Sequence, residues 1–410
     1  MRRLAENIFS MVTLRGMEYV LAFLMIPYLL RTLGPERYGA IAFMQGIIAY
    51  LGLFMNYSFG ITAPRDIARA EEKEWPRIFS GYFWGIVFLC AAGTAAFFLI
   101  YFLLHAVRGV QLDFPLFLAL YTGVLGTVFF PIWFFQGIQQ MRYITIFNLA
   151  GRFTTFGGIF LLVREPSDYV VCAFLMSCTG IMAGVLSLGL LFRSFPGLLR
   201  KPDISTIFNL YRDGWKLFIS SLAVNLYTTT DIVLLGIFTN HTIVGYYSGA
   251  DKLILCIRSG VGAINLAIYP YISGLMEKSK EEALAFLKKQ YYIYIACGLI
   301  GGILLILLAP WGVPWLFGER YIPSIRLLQI MAFVPLVVAM SNVLGYETML
   351  PLNMEKEYSG VLFLAAVLNL IIIIPLIKLW GAEGAAVSLM ITETTITAIM
   401  WGILKKRKVF

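Results

Sequence analysis

Residues 291–317, YYIYIACGLIGGILLILLAPWGVPWLF, pass from Tyr291 to Phe317 without one charged side chain. As a helix rising ~1.5 Å per residue, this stretch outreaches the roughly 30 Å hydrocarbon core of a bilayer. Working outward from it, comparable apolar stretches recur between charged or Pro/Gly-rich breaks. They lie at approximately 8–30, 38–63, 79–104, 114–136, 144–163, 168–192, 215–238, 243–275, 324–350, 358–378 and 382–404. The 410-residue chain is 60% apolar and 13% charged, with a mean hydropathy of +0.81. Soluble domains carry about 25% charged residues, so the apolar excess here must face lipid. The expected fold is an all-α polytopic membrane protein with twelve transmembrane helices in two six-helix lobes around a central cavity. The stretch 243–275 is long enough to include a cytoplasmic extension. Met1-Arg2-Arg3 resembles the start of a signal peptide, but Arg15 and Glu18 interrupt the first apolar run and no small-residue cleavage site follows. It reads as a retained helix.

Lys and Arg crowd alternate connections, from Arg2 and Arg3 through Arg200 and Lys201 to Lys405, Lys406, Arg407 and Lys408. The opposite side is left with Arg31, Arg37, Arg108, Arg164, Arg320 and Lys378. This bias places both termini in the cytoplasm. It also accounts for the net charge of +9 through membrane insertion and anionic lipid, so no nucleic-acid partner is expected. The longest connection, near 193–214 (RSFPGLLRKPDISTIFNLYRDG), falls at the chain's middle. It divides the chain into an N-terminal lobe, 1–200, with helices 1–6, and a C-terminal lobe, 201–410, with helices 7–12. An even number of spans per lobe makes any repeat a parallel one. Glu36-Arg37-Tyr38-Gly39-Ala40, entering the second span, has a partial echo in Val244-Gly245-Tyr246-Tyr247-Ser248-Gly249-Ala250, entering the eighth.

Catalysis has little to draw on. The five cysteines, Cys90, Cys172, Cys178, Cys256 and Cys297, lie inside apolar stretches without paired spacing, and the only histidines are His105 and His241. Neither a disulfide framework nor a metal centre is expected, and no cofactor. Gly-x-Ser-x-Gly, a P-loop and His-Glu-x-x-His are absent, and the outer loops are too short to build an aqueous carboxylate site. The chain does not read as an enzyme.

Charges inside the spans carry the functional signal, because a charge at the bilayer centre costs several kcal/mol unless it faces protein or water. They are Arg15, Glu18, Arg152, Asp231, Asp251, Lys252, Arg258, Glu347 and Glu393, with Arg326 and Glu383 nearer span ends. Arg15 and Glu18 share one helix face, as do Asp251 and Arg258 two turns apart. Arg15–Glu18 and Asp251–Lys252 either line a cavity or neutralise each other locally. Arg258 has no oppositely charged neighbour at i±3 or i±4, so it reads as a cavity residue. Arg152 reads as a packing or snorkelling residue, and Glu347 as solvated near a cytoplasmic helix end. A guanidinium facing water suits phosphate, since its planar fork donates two parallel hydrogen bonds. The substrate-binding candidates are Arg15, Arg258, Lys252, Asn56 and Asn225. Asn265, Tyr227 and Thr228–Thr230 could add hydrogen bonds to sugar hydroxyls. A buried carboxylate whose protonation changes with the side of access is the simplest coupling device, and Asp231, Glu18, Glu393 and Asp251 are its candidates.

Several stretches resemble a known family. They are Asn56-Tyr-Ser-Phe-Gly-Ile-Thr-Ala-Pro-Arg-Asp-Ile-Ala68, Trp133-Phe-Phe-Gln-Gly-Ile-Gln-Gln-Met-Arg-Tyr143, Asp231-Ile-Val-Leu-Leu-Gly236 followed by Val244-Gly-Tyr-Tyr-Ser-Gly-Ala-Asp-Lys252, and Leu316-Phe-Gly-Glu-Arg-Tyr-Ile-Pro323. Together they resemble the polysaccharide-transport branch of the multidrug/oligosaccharidyl-lipid/polysaccharide exporter superfamily, and within it bacterial Wzx-type O-antigen flippases. The resemblance implies movement of an undecaprenyl-diphosphate-linked oligosaccharide from the inner to the outer leaflet of the bacterial inner membrane by alternating access. It also implies membrane lipids, H+ or Na+, and a polysaccharide polymerase with its chain-length machinery as partners. Relatives that flip the peptidoglycan precursor use cavity arginines in helices 1 and 8, where Arg15 and Arg258 stand here. Their two extra helices, which form a lipid-tail groove, are missing. Two readings stay open: an ion-coupled multidrug/cation antiporter of the same superfamily, whose cavity should be dominated by acids and aromatics, and a polymerase, which the short outer loops oppose.

Overall fold

A kink at Gly34 organises the first part of the chain. The computed structural model describes residues 2–108, 113–407 and 409; the side chains of 2–23, 104–108, 220, 223–228, 266, 267 and 270 lie outside that description. Helix α1 (Arg2–Asn56) is two helices joined at Gly34, whose φ of 71° and ψ of 172° suit a residue without Cβ. Pro35 then opens the second helix, where a missing N–H costs nothing. The chain continues through α2 (Phe59–Arg69), α3 (Trp75–Arg108), α4 (Phe114–Val128), α5 (Ile132–Gly137), α6 (Met141–Leu162) and α7 (Tyr169–Ser194). It proceeds with α8 (Ile204–Phe238), α9 (His241–Lys278), α10 (Lys280–Phe317), α11 (Ser324–Ile330), α12 (Val334–Asn342), α13 (Glu355–Trp380) and α14 (Ala382–Lys406). A π-helical turn, Val343–Met349, extends α12. No strand occurs among the described residues.

The apolar stretches read from the sequence fall on helices, with short breaks at 57–58, 129–131 and 331–333 inside the stretches 38–63, 114–136 and 324–350. Nine helical segments among the described residues are long and apolar enough to cross a membrane. The stretches 8–30, 215–238 and 243–275 each include side chains outside the description, and the last also carries Asp251, Lys252 and Arg258. Trp311 and Trp315, towards the end of α10, are 71% and 75% exposed, as expected of an aromatic belt at a membrane interface. The connection read as 193–214 shrinks to 195–203. Asp203 caps α8: its carboxylate accepts from the Ser205 backbone N–H (3.1 Å) and from the hydroxyls of Ser205 (2.8 Å) and Thr206 (2.5 Å).

Contacts divide the chain into two compact units: Met1–Met25 with Met44–Leu222, and Ile26–Phe43 with Ala223–Phe410. In the first, α4 and α7 meet through small residues. A Cβ on Gly180 would stand 2.6 Å from the Gly123 carbonyl, and one on Gly126 would strike the backbone of Gly180 and Ile181. Tyr57 and Ser58, both at positive φ between α1 and α2, are held by α8: the Tyr57 hydroxyl donates to the Tyr211 carbonyl (3.0 Å) and Ser58 Oγ to that of Gly214 (3.2 Å).

In the second unit, the two echoing motifs meet each other. A Cβ on Gly39 would run into the His241 carbonyl and the Gly245 nitrogen, and one on Gly245 into the Pro35 carbonyl. Arg31 donates to the carbonyls of Trp315 and Leu316 at the end of α10, a cation placed where the helix dipole is negative. The α13–α14 hairpin is equally tight, since a Cβ on Gly384 would strike the Leu376 carbonyl.

Candidate functional site

A buried polar cluster forms where α8, α9, α13 and α14 of the second unit converge. α8 contributes Asp231; α9 contributes Tyr247, Asp251, Lys252 and Arg258; α13 contributes Asn369 and α14 contributes Ser388, Thr392 and Glu393. Helical spacing aligns them: Tyr247, Asp251 and Arg258 stand at i, i+4 and i+11, and Ser388 and Thr392 at i and i+4. The Tyr247 hydroxyl donates to Asp231 Oδ2 at 3.4 Å. Arg258 Nη2 donates to Glu393 Oε1 at 3.2 Å, with the two side chains 25% and 5% exposed. Asn369 Nδ2 donates to Ser388 Oγ (3.4 Å) and Thr392 Oγ1 (3.3 Å). The Asp251 and Glu393 carboxylates lie near Asp231, and Lys252 and Arg258 near Asp251. Asp231 Oδ1 and Asn369 Oδ1 are buried without a hydrogen-bond partner among the described residues, which leaves acceptor capacity in this cluster. No group of three or more His, Cys, Asp or Glu side chains able to hold a metal ion occurs among the described residues.

The first unit holds a cavity of about 590 Å³ between the second half of α1 and helices α4, α6 and α7. Its polar lining includes Gln45, Asn56, Thr127, Asn148, Arg152 and Thr155, and Phe130 and Phe156 contribute aromatic wall. Asn56 and Asn148 each direct an amide N–H to a carbonyl one turn back, Gly52 and Ile144, both at 2.9 Å. Thr127 and Thr155 donate their hydroxyls to the Gly123 (2.9 Å) and Leu175 (2.7 Å) carbonyls.

The sequence-derived residues thus divide. Arg258, Lys252, Asp231, Asp251 and Glu393 come together in the second unit, while Asn56 lines the cavity of the first. The side chains of Arg15, Glu18, Asn225, Tyr227 and Thr228 lie outside the described residues. Arg258 has its partner on α14, which no inspection of sequence neighbours could find. Arg152, read as a packing or snorkelling residue, lines the cavity. Glu347, read as solvated, is instead fully buried in the π-helical turn and accepts from Gln290 Nε2 at 2.8 Å. Helices α9, α10, α13 and α14 close over that turn, so proximity to a span's end does not bring water. Asn369 and Thr392 carry no signal in the sequence, since neutral polar residues are common in apolar helices, and only the fold joins them to each other and to Asp231.

A family model described as polysaccharide biosynthesis protein matches residues 4–276. The chain is similar to the "Putative O-antigen transporter" of Escherichia coli (strain K12), 30% identical over 419 residues, covering 99% of this chain and 97% of that protein. Among solved structures, it is similar to "Lipid II flippase MurJ, inward closed conformation", with a TM-score of 0.75, 12% identity, and coverage of 98% of this chain and 87% of that one. It is also similar to an inward-facing multidrug resistance MATE family transporter of the MOP superfamily, with a TM-score of 0.69, 14% identity, and coverage of 95% and 94%. At such identities these two structures speak for the fold alone.

Proposed function

The chain belongs to the polysaccharide biosynthesis protein family, and from that membership we propose that it is a flippase for a lipid-linked oligosaccharide. The observation that carries this reading is full-length similarity to the E. coli O-antigen transporter. The cargo is an O-antigen repeat unit on undecaprenyl diphosphate, moved from the inner to the outer leaflet of the bacterial inner membrane. In this reading the chain crosses the membrane twelve times with both termini cytoplasmic. Its two six-helix lobes, 1–200 and 201–410, alternate in access to a central cavity.

Arg258 and Lys252, with Arg15, Asn56 and Asn225, are the side chains we assign to the cargo. A guanidinium suits the diphosphate because its paired N–H donors match paired phosphate oxygens. Asp231 leads the candidates for H+ or Na+ coupling, supported by its burial and by an oxygen that has no hydrogen-bond partner among the described residues; Asp251, Glu393 and Glu18 follow. A polymerase with its chain-length machinery draws the product away on the outer side. The alternative of a multidrug antiporter draws on the MATE likeness, which is one of fold. Depletion of this chain should cause the lipid-linked repeat unit to accumulate on the inner leaflet while surface polymer disappears. Normal polymer with no accumulation would refute the proposal.

A further inference from the structure

We infer that the cavity of the first unit is a binding subsite for a sugar ring bearing an oxyanion, with Arg152 holding the acid group. This inference deepens the flippase reading and rests on it for its biological setting. Its basis is the pattern of donors and acceptors around the cavity. Asn56, Asn148, Thr127 and Thr155 all direct donor protons onto backbone carbonyls of the helices that form the wall. Gln45 Nε2 likewise points to Met176 Sδ at 3.5 Å. With one proton of each committed in this way, the threonines retain oxygen lone pairs, and the amides of Asn56, Asn148 and Gln45 retain an oxygen acceptor and a second N–H donor. The wall therefore offers both acceptors and donors, and Arg152 is the one charged side chain among the lining residues.

Such a wall selects its guest by chemistry. A bare cation is repelled by the guanidinium. Inorganic phosphate satisfies Arg152 but brings no ring and too few hydroxyl groups to match the rest of the wall, and a simple lipid phosphodiester has no protons for its acceptors at all. A sugar supplies hydroxyl donors for Asn56, Thr127 and Asn148, and its apolar ring face suits Phe130 and Phe156. A carboxylate or phosphate on that ring completes the match at the guanidinium, which binds either through two parallel hydrogen bonds. The volume of about 590 Å³ falls within the range of small-molecule sites. Two sources share this chemistry: an acidic sugar within the glycan, and the phosphate-linked sugar at its reducing end.

Equilibrium binding to the purified full-length protein in detergent tests the inference, with glucuronate, glucose 1-phosphate, glucose and inorganic phosphate as probes. Glucuronate or glucose 1-phosphate should bind at least about tenfold more tightly than glucose or phosphate, since each lacks one half of the match. Stronger binding of glucuronate points to the acidic sugar, and of glucose 1-phosphate to the reducing end; either supports the subsite. Arg152→Gln should reduce the anionic sugars to the affinity of glucose. Thr127→Val and Asn56→Leu should weaken all three sugars and leave inorganic phosphate unchanged, and they carry the test if Arg152→Gln fails to fold. The inference is overturned if the native protein binds none of the sugars, if phosphate alone binds as well as glucose 1-phosphate, or if the folded variants bind like the native protein. Binding of soluble probes is read without transport, so a failure to flip glycolipid in proteoliposomes would count against the flippase reading and not against this site.

Discussion

Arg258 on α9 and Glu393 on α14 form an ion pair at 3.2 Å across 135 positions of chain, with Glu393 almost wholly buried. Their union ties two helices of the second unit at the buried polar cluster. Removing one partner strands a buried charge, which costs about 3–5 kcal/mol. Arg258→Ala and Glu393→Ala should therefore each lower the amount of folded protein. Arg258→Met combined with Glu393→Leu removes both charges and should restore folding without restoring glycolipid export, because the Arg258 guanidinium assigned to the diphosphate is gone. Protein yield and lipid-linked glycan should be measured together; export by the double variant would show that Arg258 serves the fold alone.

Asp231 lies beside that pair, and its burial sets the second expectation. Asp231→Asn keeps the shape and an acceptor for the Tyr247 hydroxyl but removes the negative charge. In proteoliposomes the native protein should flip faster under an imposed proton or sodium gradient. The variant should flip at the ungraded rate whether or not the gradient is present. An Asp231→Asn protein that still responds to the gradient would move the coupling role elsewhere.

Membrane architecture was legible because hydropathy is a local signal: Tyr291–Phe317 announces a span wherever it is met. What escaped was pairing at a distance. Arg258 read as a lone cation because its partner stands on another helix, and Glu347 read as solvated because the helices that cover it are remote in sequence. Arg152 looked bland for the same reason, since a cavity is the joint product of α1, α4, α6 and α7. The echo of Glu36–Ala40 in Val244–Ala250 was visible, but not that the two copies press together through Gly39 and Gly245. The cap at Asp203 was present in the letters as Asp-Ile-Ser-Thr, and the reading of 193–214 as connection overlooked it.

That cap supplies a pH expectation outside the membrane spans. The Thr206 and Ser205 hydroxyls hold the Asp203 carboxyl below the usual carboxylate range in the folded protein. A folded pKa below the unfolded one, about 3.9 for Asp, gives stability that is present above the unfolded value. It is lost as pH falls through the folded value. Asp203→Asn retains a capping oxygen that does not titrate. Thermal unfolding scanned from about pH 5 to pH 3 should therefore show the native protein losing stability relative to Asp203→Asn. A constant difference between them across that range would show that the charge of Asp203 does not stabilise α8.

Gly39 and Gly245 supply the last test, because their approach leaves no room for a side chain. A methyl group on Gly39 meets the backbone of His241 and Gly245, and one on Gly245 meets that of Pro35. Backbone cannot swing aside as a flexible side chain can, so each Ala substitution must force the start of α9 away from the segment after the Gly34 kink. Overpacking of this kind costs about 1–3 kcal/mol, occasionally more, and here it should lie at the upper end. Gly39→Ala and Gly245→Ala should each reduce the folded yield and lower the unfolding temperature. Gly260→Ala, in the same α9 but with open space around its Cβ position, should be neutral or raise stability by up to about 1 kcal/mol through helix propensity. If Gly245→Ala unfolds at the same temperature as Gly260→Ala, the two echoing motifs do not meet as described, and the second unit is not held together at this crossing.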